Sequence, residues 1–184
     1  MPDSLFSFGG EALWLDFVNT AAPPFHSTEL LPDAAALERW LLAAGLPPLE
    51  RTRALVEARA LRDLLTSLAA SLAEGRRPPT AAVAALNAQL RDTQGREQLT
   101  RVSGMWRFEF LPAAPARALA AIAHSAATTL TDPMGRVRRC AAPDCGRYFI
   151  DSTRDLARYW CQDDPCRRLA PIERRRGGRV VPAV

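Results

Sequence analysis

All four cysteines of the 184-residue chain fall between positions 140 and 166, spaced C-x4-C-x15-C-x4-C. No other feature narrows the fold as much. A stretch of 27 residues cannot bury enough apolar surface to order itself, so it needs an internal staple. Four thiols and no histidine within the stretch predict one structural Zn2+ held by Cys140, Cys145, Cys161 and Cys166, at metal–sulfur distances of about 2.3 Å. A rubredoxin-like iron site, a redox dithiol and free structural thiols are the alternatives. A catalytic zinc does not fit, because four thiolates leave no position open for water. His26 and His124 lie outside the module, and His124 reads as a packed or solvated helix residue.

The local sequence says how the staple is built. In RRCAAPDCG the first pair flanks a proline turn, and Gly146 follows the second cysteine, where a residue without a Cβ lets amides approach sulfur. Tyr148-Phe149-Ile150 reads as a strand leaving this knuckle. Cys161 and Cys166 are five residues apart, about 140° out of phase on one helix. The chain must therefore turn between them, and Asp163-Asp164-Pro165 supplies the turn, with Asp164 as a cap and Pro165 at the first helical position. Knuckle, strand hairpin and a helix bearing the last ligand together resemble a treble-clef zinc finger.

Charge separates this end from the rest. Residues 1–135 hold 12 Arg and 14 Asp/Glu, a net −2, whereas residues 136–184 hold 12 Arg and 6 Asp/Glu, a net +6. A neutral-to-acidic body with a basic end suggests that the end faces something anionic. Arg147, Arg154, Arg158, Arg167, Arg168, Arg174, Arg175 and Arg176 are the candidates for contact with double-stranded DNA, and a homodimer would let two copies read two half-sites.

Upstream the pattern is helical. Asp33 can cap a helix that buries Leu37, Trp40, Leu41 and Ala44 and ends at Gly45. From about Leu49 to Glu74 runs the longest candidate, with Leu55, Leu61, Leu64, Leu65, Leu68 and Leu72 as its stripe. Thr80 is expected to cap a shorter helix with Val83, Leu86 and Leu90 inward. Residues 98–111 alternate apolar with charged and predict a strand pair turning at Ser103-Gly104. Residues 115–130 return to a helix with Leu119, Ile122, Ala126 and Leu130 inward. The predicted fold is mainly α: a helical bundle with one β-hairpin over 1–135, then the finger and its basic tail over 136–184. Glu11 and Asp16 interrupt the apolar stretch of MPDSLFSFGGEALWLDFVNT, which therefore predicts neither a secretory signal nor a membrane span, and a cytoplasmic protein whose thiols stay reduced.

The run RVRRCAAPDCGRYFIDSTRDLARYWCQDDPCRRL (136–169) resembles the finger of the CGNR zinc-finger family, which attaches it to a helical ABATE domain and is described as stress-induced transcriptional regulators. The matching pieces are the doubled C-x4-C, the Cys-Gly knuckle end, Phe-x-Asp-Ser/Thr-x-Arg at 149–154 and Trp160-Cys161. Upstream, Asp16-Phe17-Val18-Asn19-Thr20, Ala60-Leu61-Arg62, Leu86-Asn87 and Trp106 fit the ABATE pattern. The resemblance implies a zinc-stapled DNA-binding tail on a sensor domain that takes a small-molecule effector. In one respect this chain departs from the family. The residues after the fourth ligand are Arg167-Arg168-Leu169 instead of Gly-Asn-Arg, and Pro171 is expected to stop or kink the helix, at about 3 kcal/mol or more.

Two further readings stand beside DNA binding. One is a zinc-stapled protein-interaction or assembly module. The other is an enzyme, which the sequence argues against, since it contains no nucleophile constellation, phosphate loop or carboxylate pair. Asn19, Arg62, Asn87 and Trp106 could line a ligand pocket. The plainer expectation is that the asparagines cap or bridge helices, Arg62 is a solvated or ion-paired surface group and Trp106 is core.

Overall fold

The computed structural model describes residues 6–21, 29–49, 54–91, 95–102, 105–112, 118–132, 136–143, 145–161 and 166, with side chains at 98–101 and 106 in the hairpin. Among them are five helices: α1 (Leu13–Val18), α2 (Ala34–Ala43), α3 (Ala54–Ala73), α4 (Thr80–Arg91) and α5 (Ala118–Thr131). Two antiparallel two-stranded sheets complete the fold, β1 (Gly95–Val102) with β2 (Met105–Pro112), and β3 (Arg136–Arg139) with β4 (Tyr148–Asp151).

Local chemistry sets the helix boundaries. The Asp33 carboxylate accepts from the Ala36 amide at 2.7 Å and starts α2. Gly45 and Gly75 stop α2 and α3, where the next amides, Leu46 and Arg76, bond back to Leu41 and Ser71 carbonyls at 2.8 and 2.7 Å. Thr80 is the first residue of α4 instead of its cap; the carbonyl of Pro79 accepts from Val83 at 3.1 Å.

The predicted stripes face inward. Leu37, Trp40 and Leu41 of α2, Leu61, Leu65 and Leu68 of α3, Leu86 of α4 and Leu119, Ile122 and Ala126 of α5 are buried. Leu55, Leu64, Leu72, Leu90 and Leu130 pack against them half-buried. At the centre, Trp14 of α1 is fully buried, and its indole donates to Thr129 Oγ1 of α5 at 2.9 Å. Trp40 tilts against Phe17 with ring centroids 5.1 Å apart, joining α2 to α1.

Val102 stands opposite Met105, and Ser103-Gly104, where the turn is expected, lie outside the described residues. Trp106, however, is 67% exposed instead of core. Among the described residues its strand makes its close contacts with β1. Among the described residues no helix is long and apolar enough to cross a membrane.

Candidate metal centre and its attachment to the body

Cys140 and Cys145 sit on the loop joining β3 to β4, Cys161 follows the loop after β4, and Cys166 lies in helical conformation. The knuckle is closed by backbone bonds: the Cys140 amide to the Arg147 carbonyl at 2.8 Å, and Cys145 to Ala142 at 3.2 Å. Gly146 holds φ +64°, the left-handed conformation that glycine adopts without a Cβ penalty. The Cys161 amide points at Cys140 Sγ, 3.4 Å away. Phe149 and the half-buried Trp160 enclose the group. The turn residues Asp163, Asp164 and Pro165 lie outside the described residues, as does Pro171.

The four sulfurs lie within 4.8 Å of one another, and all four residues are buried. A tetrahedral ion with bonds of about 2.3 Å separates its sulfurs by about 3.8 Å, and Cys145 Sγ and Cys161 Sγ are 3.8 Å apart. The protonation chemistry makes the same demand. Hydrogen bonds from Cys145 and Cys161 pull the Cys140 thiol down to about 2. The bond to Cys140 pushes Cys145 up to about 12, and burial does the same to Cys166. Without a cation the cluster thus favours one thiolate beside protonated neighbours. A divalent cation removes that conflict and lets all four ionise. The donor set, all thiolate and closed, fits one structural zinc, which would supply folding free energy and no open coordination site.

The finger's sheet is built into the body. Val137 and Tyr148 belong to the same buried cluster as Trp14, Leu61 and Ile122, and Ile150 packs against it. The Ile150 amide donates to the Gly10 carbonyl at 3.1 Å. Asn19, buried after α1, grips the backbone of Tyr148 on both sides: its Nδ2 donates to the Tyr148 carbonyl and its Oδ1 accepts the Tyr148 amide, each at 2.8 Å. The side-chain amide thereby replaces a neighbouring strand. Glu11, held at φ +64°, pairs with Arg158 and accepts from Ser152 Oγ at 3.0 Å. Arg158 also lies 4.3 Å over the Phe149 ring.

Asp151 is the hub of the loop that follows β4. It is fully buried and accepts from the Thr153 amide at 3.1 Å, Thr153 Oγ1 at 2.5 Å and the Arg158 amide at 3.0 Å. Arg138 pairs with it at 3.0 Å. Burial works against its charge, but these hydrogen bonds and Arg138 outweigh it and hold the carboxyl below the usual carboxylate range. Because the folded value is depressed, this stability is complete above the unfolded value, about pH 4, and is lost as pH falls through the folded value. Asp151→Asn is expected to destabilise the chain by about 2 kcal/mol at neutral pH. It should also flatten the acid limb of a urea-midpoint-versus-pH curve, and an unchanged limb would refute this role.

The sequence-nominated arginines divide. Arg154 is exposed, Arg158 is engaged with Glu11, and Arg147 is buried at 5% exposure, beside Asp16 and Trp40. Arg147 is thus withdrawn from any phosphate, a correction to its nomination. Arg167, Arg168, Arg174, Arg175 and Arg176 lie outside the described residues. Sequence reasoning passed over Arg136 and Arg139, which are exposed at the ends of β3. Only their pairing into a strand distinguishes them from other tail arginines.

The nominated pocket does not assemble. Asn87 is exposed on α4, Trp106 is exposed on the hairpin, and Asn19 is spent on Tyr148. Arg62 is buried instead of lying at the surface, forked onto Glu29 at 2.7 and 2.6 Å and donating to Thr20 Oγ1 at 2.9 Å. Burial pushes the Glu29 carboxyl up, but Arg62 and the Leu31 amide bring it below its ordinary range. A narrow crevice without room for a water molecule is lined by Phe6, Asp16, Asn19, Thr20, Trp40 and Arg147 among others.

Two family models match the chain. Residues 11–133 match the model of the ABATE family, whose description is "Putative stress-induced transcription regulator". Residues 136–176 match the CGNR zinc finger. No curated protein matches the chain.

Proposed function

Because the chain belongs to the ABATE family and carries a CGNR zinc finger, we propose that it is a DNA-binding transcriptional regulator of the cytoplasm and not an enzyme. Its finger, held rigid by one zinc, sets arginines against the phosphates of double-stranded DNA. The observation that carries this reading is the charge split: +6 formal over residues 136–184, still +4 once four thiolates and one Zn2+ contribute −2. Arg136, Arg139 and Arg154 are its exposed described cations. Contacts of this kind fix affinity through counterion release.

The body's role is regulatory. A small-molecule effector would act through the helical body, whose helix α1 holds the finger's β4 through Asn19. Glu11 draws Arg158 away from an anionic partner, so an effector that moves α1 also changes the charge the finger presents. Two copies on one site would form a homodimer.

The test uses the full chain, since cutting at residue 135 would strip Val137 and Tyr148 from the core. Duplex binding is expected to fall steeply with salt. Arg139→Ala and Arg154→Ala should each weaken it and lower the log–log salt slope by about 1. Binding that ignores both salt and these substitutions would instead identify a zinc-stapled protein-interaction module.

A further inference from the structure

The Arg158 guanidinium and the Ser152 hydroxyl, both on the finger, converge on one carboxylate of the body. Glu11 Oε1 accepts from Arg158 Nη1, and Glu11 Oε2 accepts from Ser152 Oγ at 3.0 Å. Arg158 Nε and Nη2 are buried and donate to no described group. Glu11 holds its place under strain. Its φ of +64° is left-handed, which disfavours a glutamate and suits a glycine. Gly9 and Gly10 precede it, yet the residue at the strained position is the one that carries a charge. The Arg158 and Glu11 side chains are 18% and 26% exposed, a setting in which ion pairs add little stability. Attachment does not need the pair either, because Asn19, Val137 and Tyr148 already fasten the finger's sheet to the body. Strain kept for so little stability points to function.

We propose that Arg158 and Ser152 form a phosphate site of the finger, and that Glu11 fills it in the free protein as an internal competitor which duplex DNA must displace.

Three observations favour a DNA phosphate as the group that takes the carboxylate's place. First, the chemistry matches. A phosphodiester spreads one negative charge over two free oxygens, as a carboxylate does, and guanidinium and hydroxyl are donors that bind it. Second, the surroundings are cationic. Arg154 follows Ser152 by two residues, and the register sets Arg136 opposite Asp151, the residue before Ser152; both arginines are exposed. Third, the loop that carries the site is fixed by its own bonds. Asp151 accepts the Thr153 amide at 3.1 Å and the Arg158 amide at 3.0 Å, so Ser152 and Arg158 keep their spacing without Glu11. Only the Glu11 side chain has to leave.

The inference rests on the DNA-binding reading above and adds its regulation: the free chain binds weakly until the body lets go of Arg158. The test is fluorescence anisotropy of a labelled duplex with the full zinc-loaded chain over a range of salt. Glu11→Gly removes the competitor and suits the backbone, so it should bind at least roughly fivefold more tightly than the native chain. Its log–log salt slope should steepen by about 1, for one added phosphate. In Arg158→Ala the site is gone, and adding Glu11→Gly should then leave affinity within about twofold. Ser152→Ala, on an exposed side chain, makes the same comparison with less demand on folding, which circular dichroism checks, and should shrink the gain. Asp155→Asn removes an exposed charge from the same loop without touching the site, and should fall well short of Glu11→Gly. A Glu11→Gly chain that binds like the native one overturns the proposal while DNA binding stands. So does a gain that survives Arg158→Ala and Ser152→Ala, or one that Asp155→Asn equals. If neither the native chain nor Glu11→Gly binds duplex at low salt, the DNA reading fails and the site fails with it.

Discussion

Removing zinc is expected to melt the helical body along with the finger. Binding of a structural zinc is worth about 10–16 kcal/mol in isolated fingers, comparable to the whole stability of a domain. Were the finger a bead on a string, chelation would disorder it and leave the bundle's unfolding untouched. Here Val137 and Tyr148 are part of the bundle's own core, at 3% and 8% exposure, and Ile150 packs on it. Freeing β3 and β4 exposes these side chains to water, at about 1.5–3 kcal/mol each. It also strands the buried amide of Asn19. A loss of about 4–6 kcal/mol lowers the melting temperature of a domain of this size by roughly 10–20 °C. The measurement is far-UV circular dichroism, which the helices dominate, on protein before and after chelation at neutral pH. Cys161→Ser should reproduce the chelated curve without any chelator. A helical transition unchanged by both treatments would show that the finger contributes nothing to the body.

What the sequence made legible follows from where the relevant forces act. The cysteine spacing, the Asp33 cap, the glycine stops and the pairing of the two hairpin strands are local, so each can be read from a few neighbouring residues. The buried stripes of α2, α3 and α5 follow from helical period alone. The failures are long-range. Asn19, Arg62, Asn87 and Trp106 read as a pocket in sequence because polar and aromatic groups in a helical body invite that reading. Their partners lie 129 residues away for Asn19 and 33 for Arg62, and no local pattern announces them. Arg147 reads as one more tail arginine until the β3–β4 hairpin folds it into the body. β3 itself, Arg-Val-Arg-Arg, carries little strand signal. It is a strand because Arg136 to Arg139 align with Asp151 to Tyr148 and Val137 finds the core. The Phe-x-Asp-Ser/Thr-x-Arg segment is one of the pieces that carry the family resemblance. In the fold its Phe149 and Asp151 are both fully buried and serve as structure.

Asn19→Leu is expected to be the most damaging single change outside the cysteines. The substitution keeps the branching of the side chain, in a larger volume, and removes both hydrogen bonds to Tyr148. The Tyr148 amide and carbonyl then remain buried without partners, at about 1–3 kcal/mol for each. A loss of about 2–5 kcal/mol should appear in the urea midpoint with little change in slope. Asn19→Asp separates the two bonds. Its carboxylate can accept from the Tyr148 amide but sets a negative oxygen against the Tyr148 carbonyl, so at neutral pH it should be no more stable than the leucine variant. Because Tyr148 lies three residues beyond Cys145, the loss should reach the metal. Coupling between two sites is reciprocal. If zinc stabilises the body through β4, a change in the body that loosens β4 must weaken zinc by the same free energy. The expected result is faster release of zinc to a chromogenic chelator from Asn19→Leu than from the native chain, with all four cysteines intact. Native stability together with native zinc retention in this variant would mean that the amide bridge carries no coupling, and that body and finger are held together by apolar packing alone.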